Sequence, residues 1–198
     1  MRRPDPKTKN KIISAAWRLF YEQGYDNTTV EDIVRESGTS KGSFYHYFDG
    51  KDALLGTLAA LFDEKYKELT PELSGIDSCF DRLVFLNSEL FGMIERSISI
   101  DLLSKLLSTQ LIVKGDRHLL DRGRLYFKLL EKTVREGQAR GELTAAVTSG
   151  EIVKAYALCE RAFMYDWCLS SGEYSLRAYA TPIFRAFLST YLAENNAK

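Results

Sequence analysis

Between Thr28 and Lys51 the chain concentrates hydroxyl, cationic and aromatic side chains, most densely in the run Ser40-Lys41-Gly42-Ser43-Phe44-Tyr45-His46-Tyr47-Phe48. Phe44 and Phe48 fall at i and i+4, so a helix here turns both toward a core and spreads the others over its remaining faces. The chemistry available on those faces is recognition of phosphates and base edges. Lys41, Ser43 and His46 are placed to reach bases in a major groove, Tyr45 and Tyr47 offer hydroxyls to phosphate, and Gly42 allows close backbone approach. Thr28, Thr29 and Ser40 stand where helices begin, with free backbone N–H groups and a positive dipole end, and Lys41 and Lys51 add full charges. On periodicity alone, a hairpin of ordinary helices whose aromatics are core, or one that docks on protein, stays open beside nucleic-acid binding.

Catalytic chemistry finds less to work with. His46 and His118 are the two histidines, and neither lies in an HxxxH or HxH spacing that would put two ligands on a metal. No Walker A or GxGxxG pattern is present, and no base is evident for a serine or cysteine nucleophile. The expectation is a protein that is not an enzyme and carries no metal or cofactor. Cys79, Cys159 and Cys168 form an odd set without CxxC spacing, as a reducing compartment tolerates.

Helices must position these residues. With 198 residues, 45% of them hydrophobic, and only 4 prolines and 13 glycines, the chain can bury a core without staples and favours an all-α fold. Ile12, Ala15, Ala16, Leu19 and Phe20 share one face of a first helix that Gly24 ends. Thr28 with Glu31 reads as a capping box for a second, through Val30, Ile33 and Val34 to Gly38, and Ser40 caps a third. A longer helix is expected from Asp49 to about Leu69. Five more follow at roughly 77–97, 99–111, 117–140, 149–171 and 174–194, the last kinked or split by Pro182.

Overall charge is zero, but residues 1–51 hold nine cations against seven acids. Arg2, Arg3, Lys7, Lys9 and Lys11 crowd the start, as in a flexible arm that reaches phosphates. No apolar run long enough for a membrane span or signal peptide occurs, so a cytoplasmic location without membrane contact is expected.

Gly24-Tyr25, Thr28-Thr29, Ile33, Gly38, the run Ser40 to Phe48, Lys51 and Leu54-Leu55 together resemble the DNA-binding domain of the TetR family of repressors. The resemblance covers about residues 12–55. It implies an N-terminal three-helix, helix-turn-helix DNA-binding domain, residues 1–51, followed by a larger helical effector-binding and dimerisation domain, residues 52–198. It further implies phosphate contacts from Thr29, Tyr45 and Lys51, and base contacts from Lys41, Gly42, Ser43 and His46. The partners so implied are a palindromic operator in double-stranded DNA, a second copy of the chain, and a small-molecule effector. Val34 and Ser37 depart from the alanines usual in the family.

In the body, segment 149–171 is apolar around much of its circumference. Ile152, Tyr156, Cys159 and Phe163 form one stripe, and Ala155, Leu158, Ala162, Tyr165 and Leu169 form another. One side suits its own subunit and the other a second copy, together with Leu176, Tyr179, Ile183, Phe187 and Tyr191. Phe62, Tyr66, Phe91, Met93, Tyr126, Phe127, Tyr156, Cys159, Phe163 and Trp167 supply enough soft surface to line a pocket for an apolar or aromatic effector, with simple core as the alternative. Glu160, Arg161 and Asp166 share a helix with several of these, and one of them can pair inside such a pocket or across a dimer.

Overall fold

The computed structural model describes residues 5–112 and 117–193. Among these it holds ten α-helices: α1 (Pro6–Gln23), α2 (Val30–Ser37), α3 (Lys41–Tyr47), α4 (Lys51–Leu55), α5 (Leu58–Leu69), α6 (Cys79–Ser97), α7 (Ile100–Ile112), α8 (Leu125–Ala139), α9 (Ser149–Leu169) and α10 (Leu176–Ser189). Short 3-10 turns occupy Glu72–Gly75 and His118–Leu120. Among the described residues the only β pairing is an isolated antiparallel bridge between Leu143 and Leu192. The all-α expectation therefore stands.

The chain divides into two compact units, one built on residues up to Ala60 with Ile98–Leu119, the other on Leu61–Ser97 with residues from Leu120 onward. The sequence division after residue 51 assigns α4 and α7 differently.

In the first unit, α1 starts earlier than its apolar face suggests. Asp5 caps it by accepting from the Lys7 backbone N–H at 3.0 Å, and Pro6 takes the first turn, where a missing N–H costs nothing. Lys7, Lys9 and Lys11 thus ride on a helix rather than on an extended arm, while Arg2 and Arg3 lie outside the described residues. Ile12, Ala15, Ala16, Leu19 and Phe20 are buried as read. The capping box of α2 sits one residue later than expected: Thr29 receives the Asp32 N–H at 3.1 Å and Asp32 returns to the Thr29 N–H at 3.0 Å. Both Thr28-x-x-Glu31 and Thr29-x-x-Asp32 fit a cap by type. Burial of Thr28, whose hydroxyl donates to the Gly24 carbonyl at 2.8 Å, decides between them.

The continuous helix expected from Asp49 to Leu69 is instead two. It breaks at Gly56 and Thr57, where the Thr57 hydroxyl donates to the Leu54 carbonyl at 2.6 Å and accepts the Trp17 indole N–H at 2.8 Å. That bond draws the backbone toward α1 and competes with continued helix.

In the second unit α6, α8, α9 and α10 pack on one another. Gly137 of α8 makes this possible at one crossing, since a Cβ there would stand 2.8 Å from Leu143 Cδ1 and 3.0 Å from Cys79 Cβ. The helix expected from 117 to 140 begins only at Leu125, after the 3-10 turn. Pro182 neither splits nor ends α10, which runs through it with Leu176, Ala180, Phe184 and Leu188 buried on one face. The Trp167 indole N–H donates to the Tyr174 carbonyl at 2.9 Å. Among the described residues no helix is long and apolar enough to cross a membrane.

Candidate nucleic-acid and effector sites

Phe44 is fully buried and Phe48 nearly so, which seats α3 on α1 and α2 and turns its other residues outward. The turn into α3 depends on Gly38, whose left-handed conformation (φ 62°, ψ 28°) lets its N–H close on the Val34 and Arg35 carbonyls. Ser37 adds a side-chain clasp, donating to the Val34 carbonyl at 3.2 Å and lying 2.8 Å from the Thr39 hydroxyl, so its departure from alanine is accommodated.

On the outward side Lys41, Gly42, Tyr45 and His46 are exposed, and Ser43 is half-buried. Lys41 forms an ion pair with Glu31 of α2, which raises the ammonium above its usual range and lowers the carboxyl. Ser40 is spent on the cap, accepting from the Ser43 N–H at 3.1 Å. Tyr47 donates to the Asp5 carbonyl at 3.1 Å. Gly42 is surrounded by open space: a Cβ would meet only Ser40 Oγ, at 3.8 Å. Nothing inside the protein therefore requires glycine at this position.

Lys51 faces partly inward. Its Nζ donates to the carbonyls of Tyr25 at 2.7 Å and Thr28 at 2.8 Å, and stands 4.2 Å from the centroid of the Tyr25 ring. It thereby gathers the loop between α1 and α2. Tyr25 also donates to Asp52, and its own burial, reinforced by that carboxylate, holds the phenol protonated far above its usual range. Of the residues read as DNA contacts, Thr29, Ser40, Lys41, Gly42, Ser43, Tyr45, His46, Tyr47 and Lys51 share this part of the first unit at its surface. Thr28 alone is turned inside.

The aromatic set named for a pocket lies in the second unit and is mostly sealed. Phe62, Tyr66, Phe91, Tyr126, Phe127, Tyr156 and Trp167 are buried, while Met93, Cys159 and Phe163 are half-buried. Ring contacts join Tyr66 to Tyr126 at 5.2 Å, Tyr126 to Phe127 at 4.7 Å and Phe91 to Phe163 at 6.1 Å. Burial pushes the Cys159 thiol up to about 11, so it stays a thiol at neutral pH. A cleft of about 560 Å³ lies elsewhere, in the first unit, with Asp52, Gly56, Thr109 and His118 among its walls.

At the centre of the aromatic set is Glu160, only 2% exposed. Its Oε2 accepts from the Tyr126 hydroxyl at 2.6 Å, and its Oε1 from Asn87 Nδ2 at 3.1 Å and the Tyr66 hydroxyl at 3.3 Å. Tyr156 donates to the Leu83 carbonyl at 2.9 Å. Burial raises the Glu160 carboxyl above its usual range even though three donors oppose it. Of the three ionisable residues on α9 singled out from sequence, Glu160 is the one inside, since Asp166 is exposed and accepts from the Tyr174 hydroxyl at 2.9 Å. Asn87 was not anticipated; its signal was a polar residue on the buried face of α6, between Leu83, Leu86, Leu90 and Phe91.

The same helix α9 leaves Leu158, Tyr165 and Leu169 exposed at 61%, 50% and 68%, and α10 exposes Tyr179 and Ile183. The two sequence stripes on α9 are thus separated, one facing its own core and the other facing solvent.

Residues 12–58 match the family described as bacterial regulatory proteins, tetR family. The HTH-type transcriptional regulator HbdR of Aromatoleum sp. (strain CIB) is 30% identical over 174 residues, covering 83% of this chain and 72% of that protein. Among solved structures, a TetR-family regulator from Pectobacterium atrosepticum superposes with a TM-score of 0.75 at 14% identity, covering 98% of this chain and 99% of that one. FadR of Thermus thermophilus, a TetR-family repressor solved with lauroyl-CoA, superposes with a TM-score of 0.73 at 20% identity, covering 91% and 92%. A helix-turn-helix seated on two buried phenylalanines, a matching family model and a relative of this coverage agree, and the chain belongs to the TetR family of bacterial transcriptional regulators.

Proposed function

We propose that the chain is a ligand-responsive repressor that binds a palindromic operator as a homodimer, in the cytoplasm, and releases it when a small apolar or aromatic effector binds. Residues 1–51 read the DNA, and residues 52–198 take the effector and pair the subunits. The observation that carries the reading is the outward face of α3, where Lys41, Gly42, Tyr45 and His46 are exposed on a helix anchored by Phe44. Lys41 and His46 reach base edges. Tyr45, Thr29 and the remaining N–H of Lys51 hold phosphates, which position the helix without reading sequence.

The homodimer is supported by the exposed apolar stripes of α9 and α10. Leu158, Ala162, Tyr165 and Leu169 on the one, with Tyr179, Pro182, Ile183 and Ala186 on the other, are spaced as two helices from each copy would need for a four-helix interface. Two identical heads meeting similar groove edges require a near-palindrome. The effector is supported by the family and by the lauroyl-CoA held by FadR of Thermus thermophilus. A ligand lowers operator affinity by the difference in its own affinity for the free and DNA-bound conformations, typically about 1–3 kcal/mol.

The test is a gel shift on the intergenic DNA flanking the chain's own gene, against random duplex at several salt concentrations. Retardation of the intergenic fragment at concentrations that leave random DNA free is the expected result. Equal binding to both reduces the protein to a non-specific DNA binder, and no binding to either overturns the reading.

A further inference from the structure

The second unit encloses a charged constellation that DNA reading does not use. The hydroxyls of Tyr66 and Tyr126 and one N–H of Asn87 are spent on the Glu160 carboxylate, and the neighbouring Tyr156 hydroxyl on the Leu83 carbonyl. Among the described residues no ion pair reaches Glu160. Beside it, Asn87 Oδ1 is buried without any hydrogen-bond partner. The cluster therefore has acceptors left over, a carboxylate with one lone-pair site open and a vacant amide oxygen, and no donor to meet them. An unpaired carboxylate and an orphan carbonyl are both costly to bury. A core built only for stability would place an apolar residue at 160.

The next rung along the same two helices is aromatic. Phe91 lies four residues beyond Asn87 on α6, and Phe163 three residues beyond Glu160 on α9; their rings meet edge to face at 6.1 Å. One helical turn, about 5 Å, separates the polar rung from the aromatic one. Phe163 is half-buried, so the aromatic rung also borders solvent.

We propose that Glu160 and Asn87 form the head-group subsite of the effector site and take a nitrogen cation, an arylalkylammonium whose ring packs beside the Phe91–Phe163 pair. This rests on the reading of the chain as a ligand-responsive regulator and assigns the ligand class. An ammonium supplies both what is missing, a charge opposite the carboxylate and N–H donors enough for Glu160 and Asn87 Oδ1 together. A water molecule satisfies the amide but brings no charge to the carboxylate, on which Arg161 acts without forming an ion pair. Two methylenes between ring and nitrogen span one helical turn, about 5 Å. Tyr66 and Tyr126 hold the carboxylate in place and act as positioning residues.

The experiment is calorimetric titration of the full-length protein with 2-phenylethylammonium, its uncharged counterpart 2-phenylethanol, 3-phenylpropionate and lauroyl-CoA. Each titration is repeated on Glu160→Gln and Phe163→Leu, with a parallel gel shift on the intergenic DNA. The ammonium should bind the wild type at least about tenfold more tightly than the alcohol, and the propionate should not bind. Glu160→Gln should erase that advantage while leaving the alcohol unchanged, and Phe163→Leu should weaken both aryl ligands. If Glu160→Gln fails to fold, Phe163→Leu and the charge series on wild type decide alone. Equal affinity for ammonium and alcohol, no binding of the ammonium at millimolar concentration, or binding of lauroyl-CoA alone overturns the subsite and leaves the regulator reading intact. Binding of the ammonium with the predicted Glu160 dependence, but unchanged operator retardation, upholds the subsite and overturns ligand-controlled release.

Discussion

Lys41 and Glu31 pair across the first turns of α3 and α2, so the cation at the head of the outward-facing helix is held by an acid of its neighbour. Both side chains are solvent-exposed, and the pair contributes little to stability. Its effect is on DNA, because Glu31 both restrains Lys41 and repels phosphate. Glu31→Gln should strengthen binding to all duplexes and steepen the dependence of log K on log salt by up to about one unit. Anisotropy titrations from low to high salt measure this; an unchanged slope would show that Lys41 does not reach a phosphate or base.

Gly42 is free of internal demands, which separates its two effects. Gly42→Ala should raise thermal stability by about 0.5–1 kcal/mol, because alanine loses less entropy than glycine in a helix. Operator affinity should fall at the same time if the duplex approaches that backbone. A variant that is more stable yet binds DNA as well as the wild type would place the duplex farther from α3.

His46 and Lys51 should define two kinds of loss. His46→Ala should cost about 1–3 kcal/mol on the cognate operator and little on random DNA. Lys51→Ala should weaken binding to every sequence. It should also lower stability by about 1–3 kcal/mol, since its ammonium serves the Tyr25 and Thr28 carbonyls. Paired titrations and denaturant melts check both; equal losses on both duplexes for His46→Ala would remove it from base reading.

The exposed stripes set the next expectation. Leu158→Glu combined with Ile183→Glu should convert the proposed dimer to monomer at micromolar concentration by light scattering, with helical content retained. Reducing agent should not dissociate the wild type, since the proposed interface is apolar and does not require pairing through Cys159 or Cys168. A doubly charged variant that stays dimeric would move the interface elsewhere.

Glu160 should make stability depend on pH with a definite sign. Burial raises its folded-state carboxyl above the unfolded value, so the folded chain binds more protons between the two. This contribution is fully present below the ordinary carboxylate range and is lost as pH rises through the folded-state value, at up to about 1.4 kcal/mol per pH unit. Acids such as Glu131, lowered chiefly by the Ser149 hydroxyl, act in the opposite sense, present above the ordinary range and lost on acidification. The difference between wild type and Glu160→Gln isolates the first effect. If the two stability profiles run parallel from pH 4 upward, Glu160 does not titrate differently on folding.

What could be read from sequence followed how local the determinants are. Phe44, Phe48 and Gly38 act within a turn or two, and the position and outward face of α3 were legible from them. The cap of α2 was misplaced by one residue because Thr28 and Thr29 each precede an acid by three, and only burial of Thr28 separates them. The break at Gly56 has no local signal, because it depends on Trp17, 40 residues away, reaching Thr57. The Glu160 cluster joins residues 34, 73 and 94 positions apart, beyond any periodicity. From sequence, Asn87 is only a polar interruption in an apolar helix.

The two tryptophans fall one to each unit, Trp17 bonded to the Thr57 hydroxyl and Trp167 to the Tyr174 carbonyl. Each indole is pinned by its N–H, so its fluorescence reports a defined local environment. With Trp17→Phe the remaining emission follows the unit containing Glu160, and with Trp167→Phe it follows the unit containing α3. The protein thus carries a built-in pair of optical reporters, by which arrival of an effector and engagement of DNA can be timed separately in two single-tryptophan variants without any attached dye.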